Sequence, residues 1–158
     1  MSDSSSSSRR ESLAWKARVT PIVRHRATVH VRRHSFVVGK PVEFDIDADA
    51  ISAVEYLLGA LGADLVNGLL AVARRRRVDI DHAEAAVEGQ LDNPLTHLAV
   101  VGETGHPGLA RATVKVYVSS PAPEDHVRGA WEEAIDRSPL TRTLRGSVDL
   151  DLTLQVVP

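Results

Sequence analysis

One stretch, residues 51–77 (ISAVEYLLGALGADLVNGLLAVARRRR), limits the folds open to this chain more than any other. Val54, Leu57, Leu58, Leu61, Leu65, Leu69 and Val72 recur at steps of three and four, which predicts one long helix. Ala60, Ala63, Val66 and Leu70 make its other sides apolar too, so the helix is expected to be enclosed all round. Gly59, Gly62 and Gly68 would each cost an exposed helix on the order of 1 kcal/mol relative to Ala, which predicts that something packs very close to them. Into this apolar rod is set an acid, Asp64, with Asn67 about one turn on.

Around this helix the pattern has the period of strands. Residues 1–12 (MSDSSSSSRRES) are a serine-rich tail with nothing to bury, and the domain is expected over residues 13–158. Residues 13–20 and the alternating run 24–38 predict a small antiparallel meander, with His30 and His34 on one face of a strand. Asp49 or Ser52 is available as N-cap of the long helix. Residues 78–91 and 109–119 read as further strands, separated by a glycine- and proline-punctuated segment too long for a simple turn. A second helix opens after Pro121 and Pro123 and stops near Arg137, because Pro139 disfavours helical geometry at the residue before it. Residues 141–146 are expected to turn the chain into a last strand over 147–156, whose alternation of Val148, Leu150, Leu152, Leu154 and Val156 is the cleanest in the sequence. Strands, long helix, strands, helix and strand make an α+β domain.

Composition removes several classes of function. With 43% hydrophobic and 25% charged residues over 158 positions, the chain can bury a real core. The formal charge of −2 gives no electrostatic reason to expect nucleic acid, and Arg74 to Arg77 are explained as cations offsetting a helix C-terminus. Glu55 and Asp64 interrupt the best candidate membrane span, and the N-terminus lacks the apolar run of a signal peptide, so no membrane partner and a cytoplasmic location are expected. The seven histidines fall in no metal-ligand spacing, and neither a metal nor another cofactor is expected. Cysteine is absent, which removes disulfides and every thiol mechanism from the chain.

The run SAVEYLLGALGAD resembles the helix motif of the OsmC/Ohr family, the osmotically inducible and organic-hydroperoxide-resistance proteins, in which a Pro-x-Glu-Leu-Leu-x-Ala-Leu-Gly-Ala-Cys type run carries the peroxidatic cysteine. Asp64 stands where that cysteine would be. The run DRSPLTRTLRGSVDLDLTLQVV resembles the family's closing segment, with Ser138 at the second cysteine. Two separated motifs in register are more specific than either alone. The resemblance implies antiparallel sheets about a long central helix, an intertwined homodimer with pockets at its interface, and a link to oxidative stress. In family members that are peroxidases, it also implies a cysteine activated by an arginine and a glutamate.

Neither Asp64 nor Ser138 can pass through sulfenate and disulfide, so a thiol peroxidase is excluded. Arg24 and Arg26 are both candidates for the family arginine. Glu55 lies nine positions before Asp64, one short of the spacing common in the peroxidases, which puts it on the opposite helix face. Three roles stay open: binding a small, partly apolar ligand at the interface, with Asn67, Arg24, Arg26, Glu55 and Tyr56 as its contacts; an enzyme using Asp64 for acid or base chemistry; or a purely structural remnant in which Asp64 is held by an arginine or by Asn67. No G-x-S-x-G elbow surrounds Ser138, and a helix-terminating hydroxyl is its better reading.

Overall fold

The structure is a computed structural model that describes residues 14–157; the serine-rich segment 1–12 lies outside the described residues. The chain divides between Ala53 and Val54 into two compact units, a boundary that its hydrophobic pattern does not mark.

The first unit is a meander of β1 (Arg18–Ile22), β2 (Arg26–Val31) and β3 (His34–Val38), antiparallel in that order. Arg24 and His25 take left-handed backbone angles between β1 and β2, and Arg32 does so between β2 and β3. This second turn separates the two histidines expected on one strand. His30 sits on β2, where its Nε2 lies 3.3 Å from Thr20 Oγ1, whereas His34 opens β3 opposite Val31. The lead into the long helix is then clamped: Gly39 N donates to Ile51 O at 2.7 Å and Ala53 N donates to Lys40 O at 3.1 Å. A Cβ at Gly39 would stand 3.1 Å from the Ala50 carbonyl, so the close approach needs glycine. Ser52 alone is buried among the described residues of this unit, and Val19, Ile22, Phe36 and Val37 are exposed. The meander has no core of its own.

The second unit carries α1 (Ala53–Arg76), β4 (His82–Leu91), the single turn α2 (Pro94–His97), β5 (Leu109–Ser119), α3 (Glu124–Arg137), α4 (Pro139–Leu144) and β6 (Asp149–Val157). Its sheet runs β4-β5-β6, with β4 and β5 antiparallel. The pairing of β5 with β6 is parallel, so this sheet is mixed where an antiparallel one was expected. The reason is the connection: α3 and α4 carry the chain back across before β6 begins, and such a crossover returns a strand in the same direction. Residues 78–81, expected as strand, are irregular between the helix and β4, with Val78 N donating to Ala73 O at 2.9 Å to close the helix end. The expected turn over 141–146 is mostly helix, α4.

The core joins Leu61, Leu65, Leu69 and Val72 of α1 to Ala112, Val114, Val116 and Val118 of β5 and to Val127, Ala130, Trp131 and Ala134 of α3. Alternation in β5 and the three-four stepping in α1 and α3 place these side chains inward. The enclosure of α1 is one-sided, against the expectation. Leu57 and Leu70 remain 36% exposed, Ala60 and Ala63 are exposed, and nothing lies within 4 Å of a Cβ built on Gly59. The sheet and α3 cover only one flank of the rod, so its other apolar flank is left to solvent. The length and apolarity of α1 suffice for a membrane span, but its buried leucines account for that apolarity as core packing.

Of the three helix glycines, Gly62 is the one that packs tightly, since an added Cβ would fall 2.7 Å from Val87 Cγ2 on β4. Val87 is β-branched and cannot easily turn away. Gly62→Ala is therefore expected to lower stability by about 1–3 kcal/mol despite its better helix propensity, as read from the urea unfolding midpoint. An unchanged or raised midpoint would contradict the packing described.

Candidate functional site

The two positions singled out in the sequence meet in the second unit. Asp64 is carried on α1 between Leu61 and Leu65, whose burial fixes the turn it sits on. Helix α3 ends at Arg137, because Pro139 cannot donate a backbone hydrogen bond and forces the preceding residue out of helical geometry. Ser138 is accordingly extended (φ −67°, ψ 116°) and becomes the N-cap of α4, with Pro139 at the first helical position. Its Oγ accepts from Thr141 N at 2.9 Å and donates to Asp64 Oδ2 at 2.5 Å. The same Oδ2 accepts from Leu140 N at 3.3 Å. One carboxylate oxygen of α1 thus holds the first turn of α4 through a side chain and a main-chain amide.

Burial makes this arrangement directional. Ser138 is 4% exposed and Thr141 fully buried, while Asp64 is half-buried. Because the Ser138 hydroxyl receives the Thr141 amide, its own proton is left to point at Asp64. The hydroxyl is occupied on both counts, and Asp64 Oδ2 holds two donors. Chemically the pair can brace the α3–α4 corner against α1. Neither partner is an arginine or Asn67, the holders foreseen for Asp64.

Two clefts lie elsewhere. In the second unit, Gly59, Gly62, Ala63, Val66 and Asn67 of α1 face Glu84, Ala85 and Val87 of β4 across a space of about 380 Å³. Asn67 lines it and Asp64 does not. In the first unit, Arg24, Arg26, Lys40, Glu43, Asp45 and Asp49 are among the residues lining about 260 Å³. Arg26 pairs with Asp49, and this guanidinium holds the Asp49 carboxyl below the usual range. The Asp45 amide, then Lys40, does the same for Glu43. Among the described residues no cluster of three or more His, Asp or Glu could hold a metal ion.

The family model for OsmC-like protein matches residues 46–153, which include α1, the Asp64–Ser138 contact and most of β6. The chain belongs to the OsmC-like family. The fold of this OsmC-like protein is similar to an OsmC-like protein from Mycoplasma pneumoniae, at TM-score 0.77 and 16% identity over 92% of this chain and 98% of that one. It is similar also to an organic hydroperoxide resistance protein OsmC from Legionella pneumophila (TM-score 0.67, 14% identity, 90% and 96% covered). A third solved structure, the organic hydroperoxide resistance protein OhrB of Bacillus subtilis, gives TM-score 0.58 at 17% identity, with 89% and 98% covered. No curated protein sequence matches.

Of the residues expected at a site, the OsmC-like fold brings Asp64 and Ser138 into contact and sets Asn67 in the neighbouring cleft. Glu55 is exposed and Tyr56 half-buried in the first turn of α1, with Glu55 half a turn out of phase with Asp64. Arg24 and Arg26 line the cleft of the first unit. Sequence reasoning missed the Leu140 amide, Thr141 and Glu84. The first two had a signal: Ser-Pro followed by a third helical position is an N-cap pattern, readable as a helix start and not only as a helix stop. Glu84 had none, because its role depends on which strand lies beside α1.

Removing the cap tests this geometry. Ser138→Ala is expected to cost about 1–3 kcal/mol in chemical unfolding, since it deletes the N-cap and strips Asp64 of a buried donor. Ser138→Thr, which keeps a hydroxyl, should retain most of the stability. Equal losses in both variants would count against the hydroxyl's role.

Proposed function

We propose that this OsmC-like protein is a homodimer without peroxidase activity that binds a small, partly apolar molecule at the interface between its subunits. The observation that carries the reading is the 2.5 Å bond from Ser138 Oγ to Asp64 Oδ2. At the two positions where the resemblance places sulfur, a hydroxyl and a carboxylate satisfy one another, and neither can be oxidised and recycled. That Oδ2 is committed to two donors favours a holding role for Asp64 over proton transfer.

Dimerisation is supported by what the chain leaves open. The first unit has no core of its own and exposes Val19, Ile22, Phe36 and Val37, and α1 exposes Leu57 and Leu70 on the flank away from its sheet. Apolar surface of this kind is normally covered by another protein surface. Ligand binding is supported by the cleft beside α1. Glycine, alanine and valine form its walls, and Asn67 and Glu84 supply hydrogen-bonding groups, the balance usual for small-molecule sites. In this reading Arg24, Arg26, Glu55 and Tyr56 are further candidate ligand contacts.

Three measurements test the proposal. Light scattering should give twice the 17.1 kDa chain mass; a monomer at micromolar concentration would contradict it. Cumene hydroperoxide with a dithiol should be consumed no faster than in buffer. An apolar fluorescent probe should bind the native dimer, and Ala63→Trp, which fills the cleft, should weaken that binding by about tenfold with the dimer mass unchanged. Probe binding that ignores the substitution would remove the cleft from the account.

A further inference from the structure

Arg75 and Arg76 both reach Glu133 on α3, Arg76 through Nε at 2.7 Å, and Arg137 reaches the same carboxylate through Nε at 2.9 Å. Arg76 also lies flat against α3: a Cβ on Gly129 would stand 2.9 Å from its Nη1, so the glycine leaves room for the guanidinium. Arg74 and Arg77, which adjoin Arg75 and Arg76 in the chain, are exposed and form no ion pair among the described residues. Arg77 has a left-handed backbone that closes the helix, its N donating to Arg74 O at 3.2 Å.

Magnitudes separate this cluster from ordinary helix capping. A helix C-terminus carries roughly half a negative charge, felt within its last turn. Two such ends and Glu133 together amount to about two negative charges against five guanidiniums. Burial pushes the Glu133 carboxyl up, but Arg76 and Arg75 outweigh it and hold the group below the ordinary glutamate range, so it remains ionised and the surplus stays near three. Asp79, Asp81, Glu132 and Asp136 form no salt bridge with the cluster among the described residues. Each guanidinium has five N–H donors, and one carboxylate cannot occupy them all.

We propose that Arg75, Arg76 and Arg137, held together by Glu133, with Arg74 and Arg77 beside them in the chain, form a binding surface for a small ligand bearing two or more linked phosphates. The choice of anion follows from spacing. Three guanidiniums that share one carboxylate lie within a few ångströms of each other, the scale on which linked phosphates carry their charges. Carboxylates on one face of an extended acidic peptide recur only about every 7 Å. All five cations are arginines, whose planar forks pair with phosphate by two bonds at once. Glu133 fixes three of them in advance, which lowers the entropy lost on binding. The surface lies wholly within the second unit and does not depend on the cleft or on dimerisation.

Calorimetric titration of the full chain with inorganic triphosphate at low ionic strength tests this. One triphosphate per chain should bind, with pyrophosphate weaker and orthophosphate weaker again by about tenfold or more. Arg74→Gln with Arg77→Gln lies outside the Glu133 network, leaves the fold intact, and should weaken triphosphate binding about tenfold. Arg75→Gln with Arg137→Gln should abolish it while thermal unfolding shows the protein still folded. Absence of binding, equal affinity in the variants, or a glutamate octapeptide binding as tightly as triphosphate would each overturn the assignment.

Discussion

The fold turns on one carboxylate oxygen. Asp64 Oδ2 accepts hydrogen bonds from the Ser138 hydroxyl and the Leu140 amide, and so ties the corner between α3 and α4 to the middle of α1. That corner is where the chain must leave a helix, cross an extended residue and start another within two positions, with Ser138 and Thr141 buried. Buried backbone donors at a helix start need partners, and here they are provided partly by the cap and partly by a side chain from a distant element. The corner in turn sets where β6 enters, parallel to β5. A thiol at either position would be a weaker partner for these amides.

The second constraint is the incompleteness of α1. Its buried flank supplies the core residues Leu61, Leu65 and Leu69, and Gly62 lets β4 come close. Its other flank, with Leu57, Ala60 and Leu70, is also apolar and is exposed. A helix of this composition is stable in water only if both flanks find cover. The coreless meander of residues 14–53 poses the same problem on a sheet. In the proposed dimer, a second copy of the chain would cover both.

Much of the architecture was legible in the sequence because it rests on periodicity. The apolar stepping of α1 and α3 and the alternation of β5 and β6 are local patterns, and the elements formed within a few residues of where those patterns place them. The pairing of Asp64 with Ser138 was readable only through the family resemblance, since 74 positions separate the two and no local rule connects them. What the sequence did not carry was direction and cover. Parallel pairing of β5 with β6 comes from a crossover whose two helices look, in sequence, like one helix and a turn. The open flank of α1 has the same hydrophobicity as its buried one, so no pattern distinguishes them. The partner of Asp64 was misjudged for a related reason: arginine is the usual holder of a half-buried acid, and the Ser-Pro cap was counted as the end of α3 and not as the start of α4.

A double-mutant cycle on Asp64→Ala and Ser138→Ala, followed by chemical unfolding, tests the central claim most directly. If the two side chains hold each other, their effects on stability are non-additive, with a coupling of about 1–3 kcal/mol and the double variant little worse than the poorer single one. Additive losses would mean that the contact carries no energy, and the view of this pair as a brace in place of a redox couple would be wrong.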